Sequence, residues 1–319
     1  MLLLAKRKPE EERQRKHNMS SNLLQLVQQT TAELNLAIPT YVIGNPSQDV
    51  QQILALMNRA GYDLVKEYDW QALELEYRFY TEYLTTTGST VEGTQTITDI
   101  PDTTGLDNTY SIVGTSIPQD TYVDTVVSPT IVTTSQQSSA TSVGGTVTFS
   151  KTIYDLPPDY ETITDNTHWD KTKHWQMLGP VDAQQWQWLK SGYISTGPRV
   201  RWRILGNTFQ IWPPYNTQEY LGFEYRSRGF VRSATNTVLN SFQADTDTTV
   251  LDDTVMVLAT KLKYFQIKSF DTTSLYQDYM RYLNIAKAND KGSATLSFAP
   301  QPSAVLIGWA NIPDTGYGS

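Results

Sequence analysis

The chain has 319 residues, 18% of them charged and 39% hydrophobic, with a net charge of −8 and no cysteine. That length accommodates two or three packed units, and the acidic balance argues against a nucleic-acid binder driven by global charge. The missing cysteine excludes a disulfide framework, a thiolate nucleophile and a cysteine metal site, while leaving the redox compartment open.

Residues 1–19 read as an appended arm. Met1 to Leu4 run straight into Lys6-Arg7-Lys8, so the apolar run is far short of the ~20 residues that span a bilayer or the ~7–15 of a signal-peptide core. Met19 could serve as a second start. The arm is either a tether for DNA or a partner, or a disordered extension. From Leu23 to Leu34 the apolar spacing predicts a helix that Ser21 or Asn22 can cap. After a loop marked by Pro39 and Gly44-Asn45-Pro46, Ser47 opens a longer helix with Val50, Ile53, Leu54, Met57, Leu64 and Val65 on one broad face. Joined by a short loop, the two helices should pack antiparallel.

After Glu74 the pattern alternates through Leu75, Tyr77 and Phe79, as in a strand. No Lys or Arg occurs between Arg78 and Lys151, a stretch rich in Thr and Ser that carries Glu82, Glu92, Asp99, Asp102, Asp107, Asp120 and Asp124. Candidate strands are Tyr110 to Val113, Tyr122 to Val127, Thr130 to Thr134 and Thr146 to Phe149. A low-complexity loop competes with this reading, but the regular Val, Ile, Tyr and Thr content favours strands.

Leu156-Pro157-Pro158-Asp159 is a rigid extended corner. Trp169 and Trp175 follow, then Gly179-Pro180 and a short helix capped by Asp182 that buries Trp186 and Leu189. Arg199, Arg201 and Arg203 alternate with Val200, Trp202 and Ile204, placing guanidinium groups on one face of a strand. Gly206-Asn207 predicts a hairpin turn before Thr208 to Trp212. Leu221 to Tyr225 continues the sheet, and Arg226, Arg228 and Arg232 extend its basic character. These arginines could form a solvated or salt-bridged face, contact phosphate, or meet an acidic face on a neighbouring subunit.

Leu251 to Phe270 returns to helix, with Asp252 or Asp253 at the cap, and Ser274 opens a last helix carrying Tyr276, Tyr279, Met280, Leu283 and Ala286. Lys261, Lys263, Lys268 and Arg281 fall on exposed-face positions. Beyond Gly292 the tail holds an apolar knot, Ala304 to Trp309, whose Val305, Leu306, Ile307 and Trp309 need a host surface, on another subunit, another protein or the chain's own domain.

The residues offer little chemistry. The histidines are His17, His168 and His174, and the spacing of the last two fits no zinc pattern. No phosphate loop, G-x-S-x-G or H-E-x-x-H occurs. A glycosidase-type carboxylate pair could hide among the many acids, because separation in space is what identifies one. The reading is a non-enzyme with no cofactor and no metal.

The order LPPDY, then Thr-x-Trp-Asp-Lys-Thr at Thr167 to Thr172, then LGP and DAQQWQWL resembles head-to-tail adaptor (connector) proteins of short-tailed phages, the tail tubular protein A family. The resemblance continues through RVRWRILGNTFQIWPP and LGFEYRSRGFV and reaches back to LLQLVQQTTAELNL. It covers nearly all of residues 20–290 and rests on order and spacing. The segment from Gly114 to Val123, with SPTIVTTS and GGTVTFS, is similar to a small β module of phage tail and adaptor proteins.

The expected fold class is α+β: a helical bundle from the N- and C-terminal helices with a central antiparallel β region and a β-rich insertion. The expected divisions are 1–19 arm, 20–74 first half of the bundle, 75–153 insertion, 154–249 Trp/Arg-rich β region, 250–290 second half of the bundle and 291–319 docking arm. The resemblance implies a homo-oligomeric ring, a dodecamer, at the head–tail interface of a virion assembled in the host cytoplasm. Its partners would be the portal protein, the tail nozzle protein and tail fibres, with DNA passing through without specific binding and no membrane involved. An acidic wall from Glu82 to Asp124 would repel phosphate along the channel. Two alternatives stay open: a tail fibre or other receptor-binding tail protein, and a tail-associated hydrolase.

Overall fold

The computed structural model describes residues 21–191 and 200–291; the expected arm at 1–19 and the tail from 292 onward lie outside them. Helix α1 (Leu23–Glu33) opens on a capping box. The Asn22 side chain accepts from the Gln25 N–H at 2.9 Å, and the Gln25 side chain accepts from the Asn22 N–H at 3.0 Å, so two N–H groups near the helix start gain partners. Helix α2 (Gln48–Glu67) buries a stripe including Val50, Ile53, Met57, Ala60 and Leu64. Gly61 lies on that stripe directly against the Phe230 ring, leaving no room for a side chain. A 3-10 turn at Gln71–Leu73 then leads into β1 (Glu74–Tyr80).

The next six strands are β2 (Tyr83–Thr90), β3 (Thr96–Thr98), β4 (Tyr110–Gly114), β5 (Thr121–Ser128), β6 (Ile131–Thr134) and β7 (Ser142–Lys151). They close into a barrel in the order β2-β3-β6-β5-β4-β7. Ile97, Ile112, Val123, Val132, Val147 and Phe149 fill it, and closure leaves no unpaired edge to recruit another chain. Alternation marks segments within β4, β5, β6 and β7. In β2 successive threonines on both faces conceal it, and β3, Thr96-Ile97-Thr98, is too short to show it.

The chain returns to the body as β8 (Ile153–Asp155), β9 (Tyr160–Ile163), β10 (Trp169–Asp170), β11 (Trp175–Gln176), α3 (Ala183–Lys190), β12 (Arg201–Leu205), β13 (Thr208–Trp212) and β14 (Tyr220–Ser227). Gly206 and Asn207 link β12 to β13 with φ of 59° and 63°, the left-handed pair that a two-residue hairpin of type I′ requires. Strand β14 pairs with β1 from Glu74↔Arg226 to Tyr80↔Tyr220, and also with β9 and β10. Its inward residues Leu221, Phe223 and Tyr225 pack with Trp202, Phe209 and Ile211 of the β12-β13-β8 sheet. The Pro-Pro corner ends on Asp159, whose buried carboxylate accepts from the Tyr225 hydroxyl at 3.0 Å and from the Ser227 hydroxyl. Asp159 thereby anchors the corner to the end of β14.

A small sheet of β15 (Val231–Arg232), β16 (Val238–Leu239) and β17 (Thr248–Thr249) precedes α4 (Asp253–Ile267) and α5 (Thr273–Lys291). Asp252 caps α4, accepting from the Val255 N–H at 3.0 Å. Helices α1, α2, α4 and α5 share one core with Phe230, Val231 and Phe242.

This architecture overturns the expected α+β helical bundle with a central antiparallel β region. Among the described residues the protein is β-rich, with seventeen strands, six of them closed into a barrel, beside five α-helices, and only 29% of those residues are helical. The physical reason is that four separate apolar cores form. The terminal helices serve one of them, as a layer against the small sheet. The barrel and the central sheets bury their own side chains and need no helical casing.

Replacing Gly61 by Ala is expected to destabilise the protein by roughly 2 kcal/mol in urea unfolding, because the new Cβ drives into the Phe230 ring. A gain in stability, the usual result of Gly→Ala at an open helical site, would show that the ring moves aside freely.

Candidate interaction surfaces

The sequence-predicted arginines separate onto three sheets. Arg201 and Arg203 sit half-buried on β12, opposite in direction to the buried Trp202, and their guanidinium groups have no hydrogen bond or ion pair among the described residues. Arg226, on β14, pairs with Asp69. Arg228 donates to the Pro158 carbonyl at 2.8 Å, helping to hold the Pro-Pro corner. Arg232, on β15, donates to the carbonyls of Gly229 at 3.0 Å and Val231 at 3.2 Å, and burial pulls its pKa down against the raising influence of Asp159 and Tyr225. Arg199, Val305, Leu306, Ile307, Trp309 and His17 lie outside the described residues.

The acidic residues of the insertion are spread around the barrel and several serve its turns. Asp102 accepts from the Thr104 N–H at 2.9 Å and Asp107 from the Thr109 N–H at 2.8 Å, local bonds that stiffen the loop between β3 and β4. The hydroxyls of Thr98 and Thr133 donate to Asp99 and Asp124 at 3.3 and 3.4 Å. Glu82 stands where the barrel joins the body; it accepts from the Tyr110 hydroxyl at 2.8 Å and pairs with Lys151 at 3.1 Å. Asp120 pairs with Lys190 of α3 at 2.9 Å, and that ammonium lies 4.9 Å from the centre of the Tyr122 ring. Glu92 uses its N–H toward Thr141 at 3.0 Å.

The two described histidines part company. His174 is exposed in the turn between β10 and β11. His168 is 1% exposed, stacked 3.7 Å from the Trp202 ring centre and flanked by Phe209 and Phe223. Neither of its ring nitrogens has a hydrogen-bond partner among the described residues. Burial in this aromatic stack lowers its pKa from 6.5 to about 3, so at neutral pH the ring is an uncharged packing element. Among the described residues no group of three His, Cys, Asp or Glu side chains is placed to hold a metal ion, and no helix is long and apolar enough to cross a membrane.

Sequence reasoning passed over the exposed apolar side chains. Ile38, Tyr41 and Ile43 project from the loop between α1 and α2, whose shape is held by the Asp245 carboxylate accepting from the N–H groups of Val42 and Ile43. Ile267, Phe270 and Tyr276 lie exposed near the turn between α4 and α5, and Val126, Val127 and Val143 on the barrel. The available signal was apolar residues at loops and helix ends. No family model and no curated protein matches the chain.

Because His168 binds a proton more readily in the unfolded chain than in the fold, its contribution to stability is full above pH 6.5 and declines as pH falls toward about 3. The slope from this one group is at most about 1.4 kcal/mol per pH unit. Thermal unfolding of the wild type between pH 6.5 and 4.5 is expected to show it, and His168→Phe to flatten it; an unchanged slope in the variant would assign the effect to another group.

Proposed function

We propose that this chain is a structural head-to-tail adaptor of a short-tailed phage, with no catalytic role: a ring, a dodecamer, that joins the portal to the tail nozzle in the virion and surrounds the DNA channel. The observation that carries this reading is that exposed apolar side chains occur on three parts of the subunit, the α1–α2 loop, the turn of the α4–α5 hairpin and the barrel. Apolar exposures of this kind are covered by association, and three of them suit a subunit that meets several neighbours. The segments that carry the family resemblance also fold together. The Pro-Pro corner, Trp169 and Asp170, α3, the β12–β13 hairpin and β14 build the central sheets and two cores, one around Phe209 and Phe223 and one around Trp186 and Trp212.

In this reading mechanism means assembly. A head-to-tail contact repeated around an axis closes a ring, and Arg201 and Arg203, which have no partner among the described residues, suit an acidic face on the next subunit. The helical layer faces the portal, while the barrel faces the nozzle or fibres. The net charge of −8 favours DNA that slides without adhering. A tail-fibre protein would instead form trimers.

Light scattering and negative-stain imaging of the purified chain, alone and with the portal and nozzle proteins of its virion, are expected to show rings of about twelve copies. A chain that stays single beside those partners, forms trimers, or cleaves a capsule or cell-wall polymer would refute the proposal.

A further inference from the structure

The outward face of β1 and β14 carries a run of cross-strand pairs with one uncompensated charge. Glu74 stands opposite Arg226, Arg78 opposite Gly222, and Tyr80 opposite Tyr220 with ring centres 4.7 Å apart, whereas Glu76 stands opposite Glu224. Like charges directly opposed across antiparallel strands repel. Glu76 is relieved by ion pairs with Arg78 and Lys171, and the hydrogen bonds from those two side chains hold its carboxyl down at about 2. Glu224 has no such relief. Its backbone is engaged, with its N–H donating to the Thr167 hydroxyl at 3.0 Å and its carbonyl accepting from Thr164 at 3.0 Å. Its exposed carboxylate has no hydrogen bond or ion pair among the described residues.

Beside Glu224 an open cleft of about 530 Å³ is lined by Trp169, Asn166, Thr167 and His174, with Glu76, Asp170 and Lys171. Its lining holds three carboxylates and one ammonium. Asp170 is buried and satisfied by the Tyr215 hydroxyl at 2.8 Å and the N–H groups of Thr172 and Lys173, and Lys171 is committed to Glu76. Trp169, paired in register with Gly222, is half-buried, so part of its indole faces the cleft. Gly222 keeps this face low, and the stem of Lys171 occupies the space its side chain would have filled.

We propose that this cleft receives an arginine side chain from a partner protein, with Glu224 accepting the guanidinium N–H groups and the Trp169 indole lying against the cation. Charge complementarity selects the occupant. With Glu76 already answered by Arg78 and Lys171, a cation supplies the counter-charge that the Glu224 carboxylate lacks among the described residues, which a neutral hydroxyl ligand cannot do. An aromatic wall adds to the attraction for a guanidinium, and its planar fork matches a carboxylate better than an ammonium does. The site lies on a single subunit and does not depend on ring assembly.

The test uses the full chain and a fluorescein-labelled Gly-Arg-Gly-Arg-Gly peptide, followed by anisotropy at low salt. Saturable binding is expected that weakens by about tenfold or more with Glu224→Gln, weakens with Trp169→Ala, and falls with added salt. The same peptide with citrulline in place of arginine is expected not to bind. Glu224→Gln also reports on the fold: relieving the opposed charges should leave its melting temperature unchanged or higher, so lost binding is not lost structure. No saturable binding, equal affinity of the Glu224→Gln variant, equal binding of the citrulline peptide, or displacement of the peptide by the neutral sugar chitotriose would each overturn the proposal.

Discussion

Everything in the body of the molecule depends on the register of β14. One edge of this strand is bonded to β1 over seven consecutive residue pairs, and other positions bond β9 and β10. Alternation then sends Leu221, Phe223 and Tyr225 inward, against the stack of His168, Trp202 and Phe209, and Glu224 and Arg226 outward. A slip of one residue would exchange these two sets. The core that holds the sheets together and the charged face that borders the Trp169 cleft are therefore consequences of one pairing.

The barrel is tied to this body by short crossings. Thr81 and Glu82 separate β1 from β2, and Thr152 alone separates β7 from β8. At the crossings the Glu219 N–H donates to the Thr81 hydroxyl at 2.7 Å, and Glu82 joins Tyr110 and Lys151. A further contact comes from α3, whose Lys190 meets Asp120 and Tyr122. Burial alone would lower the Lys190 pKa, but Tyr122 and Asp120 outweigh it and the net direction is upward. The insertion carries no Lys or Arg between Arg78 and Lys151, so the cations that steady it, Lys151 and Lys190, stand at its boundary with the body.

These features bear on association. A barrel with its own closed core can present side chains outward without weakening the body, and a helical layer with one packed stripe leaves much of α5 open; Tyr276, Tyr282 and Ile285 are exposed there. Sheets, a barrel and a helical layer that bury separate cores give a subunit with several independent faces. Such an arrangement would serve the proposed adaptor role, in which one subunit meets neighbours of different shape.

The parts legible in the sequence are those whose physics is complete within a few residues. Asn22, Asp182 and Asp252 satisfy N–H groups three positions away, and Gly206-Asn207 supplies the two left-handed residues of a tight hairpin; Asp182 and the hairpin turn could be named from the sequence, and the other two caps narrowed to Ser21 or Asn22 and Asp252 or Asp253, because the whole interaction lies in one short window. Helical periodicity likewise located the terminal helices, but periodicity says that a face will be buried and not against what. Hence the expected bundle proved to be a layer over one core of four. The interaction surfaces fared the same way. The arginines were visible as a run, yet Arg226 is answered by Asp69 and Arg201 by no described residue, and the apposition of Glu76 with Glu224 joins strands about 150 residues apart. Barrel closure, the pairing of charges and the cleft beside Trp169 were decided only in three dimensions, because each depends on a strand register set by the burial of distant side chains.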